Sequence, residues 1–124
     1  MDATKNKITF ISNELCRNTQ FIFGERLRRI IMYGSRARGD YKEYSDMDIM
    51  VLADYNEHER RGFEKALSRV ASDLGLEHDI IVSVMLNNEN LFVNRLLISP
   101  FYRNVVSEGV VLYGEHQISG SVQI

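Results

Sequence analysis

The spacing of apolar residues changes along the chain and predicts where helices and strands lie. An apolar stripe at helical spacing near the N-terminus predicts a helix over about residues 4–23, ended near Gly24. Two short segments rich in β-branched, aromatic and other apolar residues then predict strands at Leu27–Tyr33 and Met47–Ala53. The first half of the chain is therefore expected to form one helix followed by two strands.

A capping motif introduces a second long helix. Asn56 is followed three residues later by Glu59, which resembles a capping box at a helix start. Apolar residues at helical spacing come next, and Gly75 is expected to end this helix. The segment EHDIIVSVM then predicts a third strand over residues 77–85.

The C-terminal third is expected to add two short helices and an edge strand. The helices are predicted around residues 90–97 and 100–107, and the segment VVLYG supplies the strand. Residues 1–114 would then form one small α/β (α+β) domain, a mixed β-sheet with helices packed on it, followed by a flexible tail over residues 115–124. Several apolar side chains of the short helices could face either the core or a partner: Phe92, Leu96, Leu97, Phe101 and Tyr102.

Composition and charge narrow the class of protein. The chain has 124 residues, 44% of them apolar, which suits one compact domain with one core. One cysteine allows no internal disulfide, the N-terminus lacks a secretory signal, and the apolar runs are too short to span a bilayer. A cytoplasmic protein without a membrane segment is therefore expected. A net charge of −2 and a pI of about 5.9 argue against direct nucleic-acid binding.

Two aspartates stand one residue apart where the second strand begins. If that strand already starts at Asp46, the side chains of Asp46 and Asp48 point to the same face, about 6–7 Å apart at the backbone. Two such carboxylates repel each other unless a cation lies between them. Mg²⁺ prefers oxygen ligands and is typically held by one or two carboxylates together with substrate phosphates. The pair therefore predicts a metal–nucleotide site.

A third acid could join this pair through the sheet topology. The helix after the second strand allows the third strand to run parallel to it, which would place Asp79, near the predicted strand start, beside Asp46 and Asp48. If the first two strands are antiparallel, the end of the first strand, Gly34-Ser35, meets the same corner. One topology would then bring all five residues together.

The segment after the first strand has the composition of a phosphate-binding loop. Gly34 permits unusual backbone angles and a close approach of phosphate to backbone N–H groups. Ser35 adds a hydroxyl, and Arg36 and Arg38 are the nearest cations for triphosphate oxygens. The corner is therefore expected to bind a nucleoside triphosphate.

Taken together, these motifs resemble the nucleotidyltransferases of the DNA polymerase β type, and among them the minimal nucleotidyltransferases. The resemblance covers about residues 30–84 and depends on four motifs: Gly34-Ser35, Arg36-Ala37-Arg38-Gly39, Ser45-Asp46-Met47-Asp48 and Asp79. It implies a polymerase β-like fold and in-line attack of a hydroxyl on the α-phosphorus of a nucleotide, with loss of pyrophosphate.

The resemblance also implies roles for individual residues. Asp46 and Asp48 would bind two Mg²⁺ ions with the triphosphate of ATP, and Asp79 would help to ligate the second ion and promote loss of the acceptor's proton. Ser45 would belong to the nucleotide-binding set together with the Gly34–Arg38 loop.

The acceptor is expected to come from outside the chain. The sequence leaves little room beyond a catalytic core, so a partner or a second copy would supply the acceptor site. Minimal nucleotidyltransferases of this type are paired with small all-helical HEPN toxins, which implies transfer of AMP to a tyrosine of such a toxin and an antitoxin function. Two alternatives stay open: a non-catalytic antitoxin that neutralises its partner by contact, and a nucleotidyltransferase for a small molecule or an RNA end.

Overall fold

The computed structural model describes residues 3–115 and shows a mixed sheet with helices on both faces. Its helices are α1 (Ala3–Phe23), α2 (Ser35–Arg38), α3 (Arg60–His78), α4 (Glu89–Arg95) and α5 (Pro100–Glu108). Its strands are β1 (Leu27–Tyr33), β2 (Met47–Ala53), β3 (Val82–Asn88) and β4 (Val110–Tyr113). Short 3-10 turns lie at Gly24–Arg26 and Glu57–Glu59. The predicted α/β class and the bounds of the first two strands are confirmed.

The four strands lie in the order β3-β2-β1-β4. β1 pairs antiparallel with both β2 and β4, whereas β2 and β3 run parallel because α3 carries the chain back between them. In this register Tyr33 lies opposite Asp48, and Met47 lies opposite Val82. The end of β1 and the start of β2 therefore meet at one corner of the sheet, as the antiparallel alternative predicted.

Both faces of β2 are buried, which explains its continuous apolar sequence. Ile49 and Val51 point into the layer formed by α1 and α3, where they pack with Leu15. Met50 and Leu52 point to the opposite layer, formed by α4 and α5. The apolar residues of the C-terminal helices divide between the two open possibilities, since Phe92 and Leu96 are buried and Leu97 and Phe101 are exposed, with Tyr102 half-buried.

The end of α3 differs from the prediction. Gly75 does not end the helix, which continues to His78 and is capped by Asp79 in the left-handed conformation, with φ of 55°. A Cβ at position 75 would lie 2.5 Å from the carbonyl oxygen of Ile80, so glycine is needed there to let the departing chain fold back against the helix. The third strand consequently begins at Val82, and the prediction of a strand over residues 77–85 is wrong at both ends.

The predicted capping box is present, since Asn56 and Glu59 each bond the other's backbone. No helix among residues 3–115 is long and apolar enough to cross a membrane. The predicted tail lies outside the described residues except for Glu115, whose carbonyl oxygen accepts a hydrogen bond from Arg29 Nη1 at 3.1 Å. The division of the chain at residue 114 stays a prediction.

Candidate functional site

The candidate site lies where β1 ends and β2 begins. Gly34 has φ of 77° and ψ of −159°, a conformation that glycine alone adopts readily. A Cβ at this position would collide with Oδ2 of Asp48, the residue that lies opposite Tyr33 in the sheet. The backbone turn at Gly34 and the Asp48 carboxylate are therefore in direct contact, and the absent side chain makes that contact possible.

The two carboxylates differ in their surroundings. Asp48 is half-buried within β2, whereas Asp46 precedes the strand and is exposed. Burial and, next in importance, the negative charge of Asp46 raise the pKa of Asp48, while the charge of Arg38 opposes this shift. The pair thus carries an electrostatic cost that a bound cation would relieve. Its hard oxygen donors fit Mg²⁺, provided that phosphate and water oxygens complete the coordination.

Asp79 lies at the end of α3. It caps α3 and lines a cleft with Tyr44 and Leu76, and residues 3–115 contain no group of three acidic, histidine or cysteine side chains that could hold a metal ion. The strand start on which the predicted meeting of Asp79 with Asp46 and Asp48 depended is wrong, because the helix continues through the segment interpreted as a strand. The assignment of Asp79 to the site stays a prediction. In the observed register Ser83 of β3 lies opposite Asp48.

The side chain of Arg36 is hydrogen-bonded to the loop that leads to Asp46. Only 6% of Arg36 is exposed, and its guanidinium donates hydrogen bonds to the carbonyl oxygens of Ser45 at 3.0 Å, Glu43 at 3.2 Å and Lys42 at 3.5 Å. The guanidinium also lies over the ring of Tyr41, 4.8 Å from its centroid. These contacts hold the loop rather than offering a free cation to phosphate, and no pattern in the sequence distinguishes this buried arginine from Arg38.

Arg38 has the opposite character. It is exposed and forms ion pairs with Asp40 at 3.3 Å and with Glu108 at 3.5 Å. Exposed ion pairs of this kind contribute little to stability, so an incoming anion could replace either carboxylate. Arg38 also lies near enough to Asp48 to lower its pKa. It therefore fits the predicted contact with phosphate better than Arg36 does.

The two serines take different positions. Ser35 opens the short helix α2 directly after Gly34, whose carbonyl oxygen accepts from the N–H groups of Ala37 and Arg38 at 3.1 Å each. Ser45 Oγ accepts a hydrogen bond from the N–H of Lys42 at 2.8 Å and so closes the turn before Asp46. Ser35 remains at the corner as predicted, and Ser45 shapes the loop beside it.

The loop contacts of Arg36 lead to a testable difference between the two arginines. Arg36→Lys should lower kcat/KM about 10- to 100-fold, because lysine cannot make the forked contacts that fix the loop before Asp46. It should also speed amide hydrogen exchange in residues 40–46. Arg38→Lys, which keeps an exposed charge, should lower kcat/KM less than about threefold. Loss of activity in Arg36→Lys with unchanged exchange in the loop would instead assign Arg36 to phosphate binding.

Comparison with known proteins identifies the family of the chain. Residues 11–112 match the model of the nucleotidyltransferase domain. Two curated proteins of Methanocaldococcus jannaschii are similar in sequence. "Putative protein adenylyltransferase MJ0604" is 36% identical over 88 residues, which cover 71% of this chain and 80% of that protein. "Putative protein adenylyltransferase MJ0141" is 31% identical over 85 residues, which cover 68% and 84%.

Solved structures share the fold at low sequence identity. A "putative nucleotidyltransferase from Sulfolobus solfataricus" gives a TM-score of 0.60 at 17% identity, over 100% of this chain and 96% of that one. A toxin-antitoxin structure with AMP-PNP gives 0.52 at 22% identity, and a mutant of the toxin-antitoxin MntA-HpeT gives 0.53 at 20%; each covers 84% of this chain and 73% of the other. The family match across most of the described residues shows that this chain is a nucleotidyltransferase and belongs to the nucleotidyltransferase domain family.

Proposed function

We propose that this nucleotidyltransferase is an antitoxin that transfers AMP from ATP to a tyrosine hydroxyl of a small helical HEPN toxin. The observation that carries the proposal is the contact of Asp48 with the side-chain-free turn at Gly34, with Asp46 near enough for its charge to raise the pKa of Asp48. Two relatives above 30% identity are named protein adenylyltransferases, and two structural neighbours are toxin-antitoxin structures, one of them with AMP-PNP. These names support a protein acceptor and ATP as the donor.

The residues at the corner divide the work of binding the nucleotide. Asp46 and Asp48 would hold Mg²⁺ against the triphosphate, and the bound metal would neutralise charge on the attacking and leaving oxygens. The Gly34 turn keeps the Asp48 carboxylate against the backbone, so the donor set is preorganised rather than mobile. Arg38 would exchange Asp40 or Glu108 for phosphate oxygens as the nucleotide enters.

The acceptor hydroxyl would then attack the α-phosphorus in line and pyrophosphate would leave. Asp79 is left out of this mechanism, because it caps α3 and forms no metal-binding group of three with the pair among residues 3–115. The chain's contribution is mainly to position the donor and to neutralise its charge, which is the usual basis of phosphoryl-transfer catalysis.

One observation favours a second candidate function, a contact-only antitoxin. The two-carboxylate site has Ser83, not an acid, at the position of β3 opposite Asp48. If two carboxylates do not suffice for transfer, the chain would neutralise its partner by binding alone. The alternative is of a different class and is separable by experiment.

The test is intact-mass analysis of the co-purified helical partner after incubation of the complex with Mg-ATP. Transfer predicts a mass gain of one AMP, located on a tyrosine and missing when EDTA is present. A partner that is bound and neutralised without any gain in mass would favour the contact-only function. AMP found on a small molecule or an RNA end, with the partner unmodified, would overturn the protein-acceptor proposal.

A further inference from the structure

We propose that the cavity between the end of β1 and α5 is the nucleoside subsite, which holds the base and ribose of the nucleotide; this inference rests on the proposed function. The cavity has a volume of about 340 Å³, within the range of small-molecule pockets. Its lining includes Tyr33 and Gly34 from the site corner and Phe101 and Asn104 from α5. Nothing in the motifs of the sequence assigned a role to α5.

The position of the cavity ties it to the phosphate site. Gly34 both lines the cavity and contacts Asp48, so a nucleotide whose phosphates lie at this corner has the cavity within reach of its nucleoside. Tyr33, the neighbouring lining residue, lies opposite Asp48 in the register of β1 and β2, which places the carboxylate beside this end of the cavity. Three larger clefts, beside Asp79, along the edge of β3 and between α1 and α3, include neither Gly34 nor Asp48.

The chemistry of the lining suits a flat, uncharged, hydrogen-bonding ligand. The Phe101 ring is 43% exposed and is fixed by an edge contact with Tyr33, with centroids 5.6 Å apart, so one aromatic surface is available for stacking. The exposed amide of Asn104 has both donors and an acceptor, and it has no hydrogen-bond partner among residues 3–115. An amide of this kind can pair with the edge of a base.

The charges at the rim argue against an anionic occupant. Glu108 and Arg38 face each other at 3.5 Å across the edge of the cavity, so the rim has no net charge. The Glu108 carboxylate would repel a phosphate or an acidic peptide inside the cavity, whereas it would not repel a neutral base. The arrangement therefore places the base in the cavity and leaves the phosphates at the Gly34 turn.

Calorimetric titration with two probes, Mg-ATP and Mg-tripolyphosphate, tests the subsite. Asn104→Ala and Phe101→Leu should weaken ATP binding roughly 5- to 100-fold, because base stacking and base pairing to the amide are lost. Binding of tripolyphosphate should change less than about twofold. Asn94→Ala, an exposed asparagine of α4 outside the cavity, is the matched control and should leave both affinities unchanged. Phe101→Leu keeps an apolar side chain, and thermal unfolding checks that each variant is folded.

The titrations distinguish a failure of the proposed function from a failure of the nucleoside subsite. If the wild-type chain binds neither probe, the proposed function fails and the subsite with it. If the wild type binds both and the variants weaken both equally or neither, the cavity is not the nucleoside subsite although the function stands. Unchanged ATP affinity with slower transfer to the partner would assign the cavity to the acceptor and overturn the inference.

Discussion

The double variant Asp46→Asn, Asp48→Asn should lose transfer activity by about 1,000-fold or more while still binding its partner. Two carboxylates supply the negative charge that binds the cation, and asparagine removes that charge while keeping the side-chain shape. Losses of this size are typical when a group that stabilises the transition state electrostatically is removed. The measurement is AMP incorporation into the co-purified partner, with complex formation followed by gel filtration.

Asp79→Asn is the control for this experiment. Asp79 occupies a left-handed cap position, with φ of 55°, which asparagine tolerates at least as well as aspartate. Because Asp79 forms no metal-binding group of three with the pair, its substitution should keep activity within about threefold of the wild type. A loss comparable to that of the double variant would show that Asp79 acts at the site after all and would contradict the arrangement described here.

The raised pKa of Asp48 predicts how its substitution changes stability, which shows whether a loss of activity comes from the lost charge or from misfolding. An acid whose pKa is higher in the folded than in the unfolded chain destabilises the fold when ionised, and stability rises as the pH falls through the raised pKa. Asp48→Asn removes this unfavourable charge. The variant should therefore unfold at the same or a higher temperature than the wild type at pH 7, and the gain should shrink below pH 4. A large drop in the unfolding temperature of Asp48→Asn would instead indicate that the variant loses activity because it misfolds.

The sheet and the site corner could be predicted from sequence because strong local signals agreed with topology. Leu27–Tyr33 and Met47–Ala53 were recognised from their strand-forming composition, and the helix between the second and third strands predicted that those strands would run parallel. The prediction that Asp46 and Asp48 share a face required a strand that starts at Asp46, whereas β2 starts at Met47; the charge of Asp46 nevertheless raises the pKa of Asp48. These relations depend on backbone geometry alone, and the fold and family predictions are confirmed.

The position of Asp79 could not be predicted because Gly75 was interpreted as the end of the helix, which in fact continues to His78. A glycine after an apolar helical face usually marks a helix end, but Gly75 serves a close approach to Ile80 that only the tertiary structure reveals. The apolar segment after Asp79 has strand character in either case, so composition fixed the existence of the strand but not its first residue. The predicted start at residue 77 lies five residues before Val82, so Asp79 caps the helix instead of opening the strand.

The role of Arg36 depends on burial, which the sequence does not contain. Arg36 and Arg38 stand two residues apart in the same motif, yet one is 6% exposed and bonded to loop carbonyls and the other pairs with exposed carboxylates. Residue type predicted that both could meet phosphate. The three-dimensional path of residues 39–46, which wraps the Arg36 guanidinium, decides between them.

Gly34→Ala should reduce transfer activity by about 100-fold or more, because the added methyl group cannot coexist with the observed Asp48 carboxylate. The backbone at position 34 lies in a region essentially reserved for glycine, so alanine pays roughly 1–3 kcal/mol of strain even before the collision. Relief of the collision must move either the turn or Asp48, and both belong to the proposed nucleotide site. Misplacement of about 1 Å at a reacting centre can cost on the order of 100-fold in rate.

Gly24→Ala is the control that separates the effect of backbone strain from the effect of a collision between the added methyl group and a neighbouring side chain. Gly24 also has positive φ, 59°, but a Cβ there would meet no atom within 4 Å. Its alanine variant should lose about 1 kcal/mol of unfolding free energy in urea and retain full activity. Gly34→Ala should lose both stability and affinity for Mg-ATP, measured by calorimetry. Equal behaviour of the two variants would mean that backbone strain alone matters and that the contact between the Gly34 turn and Asp48 has no part in nucleotide binding.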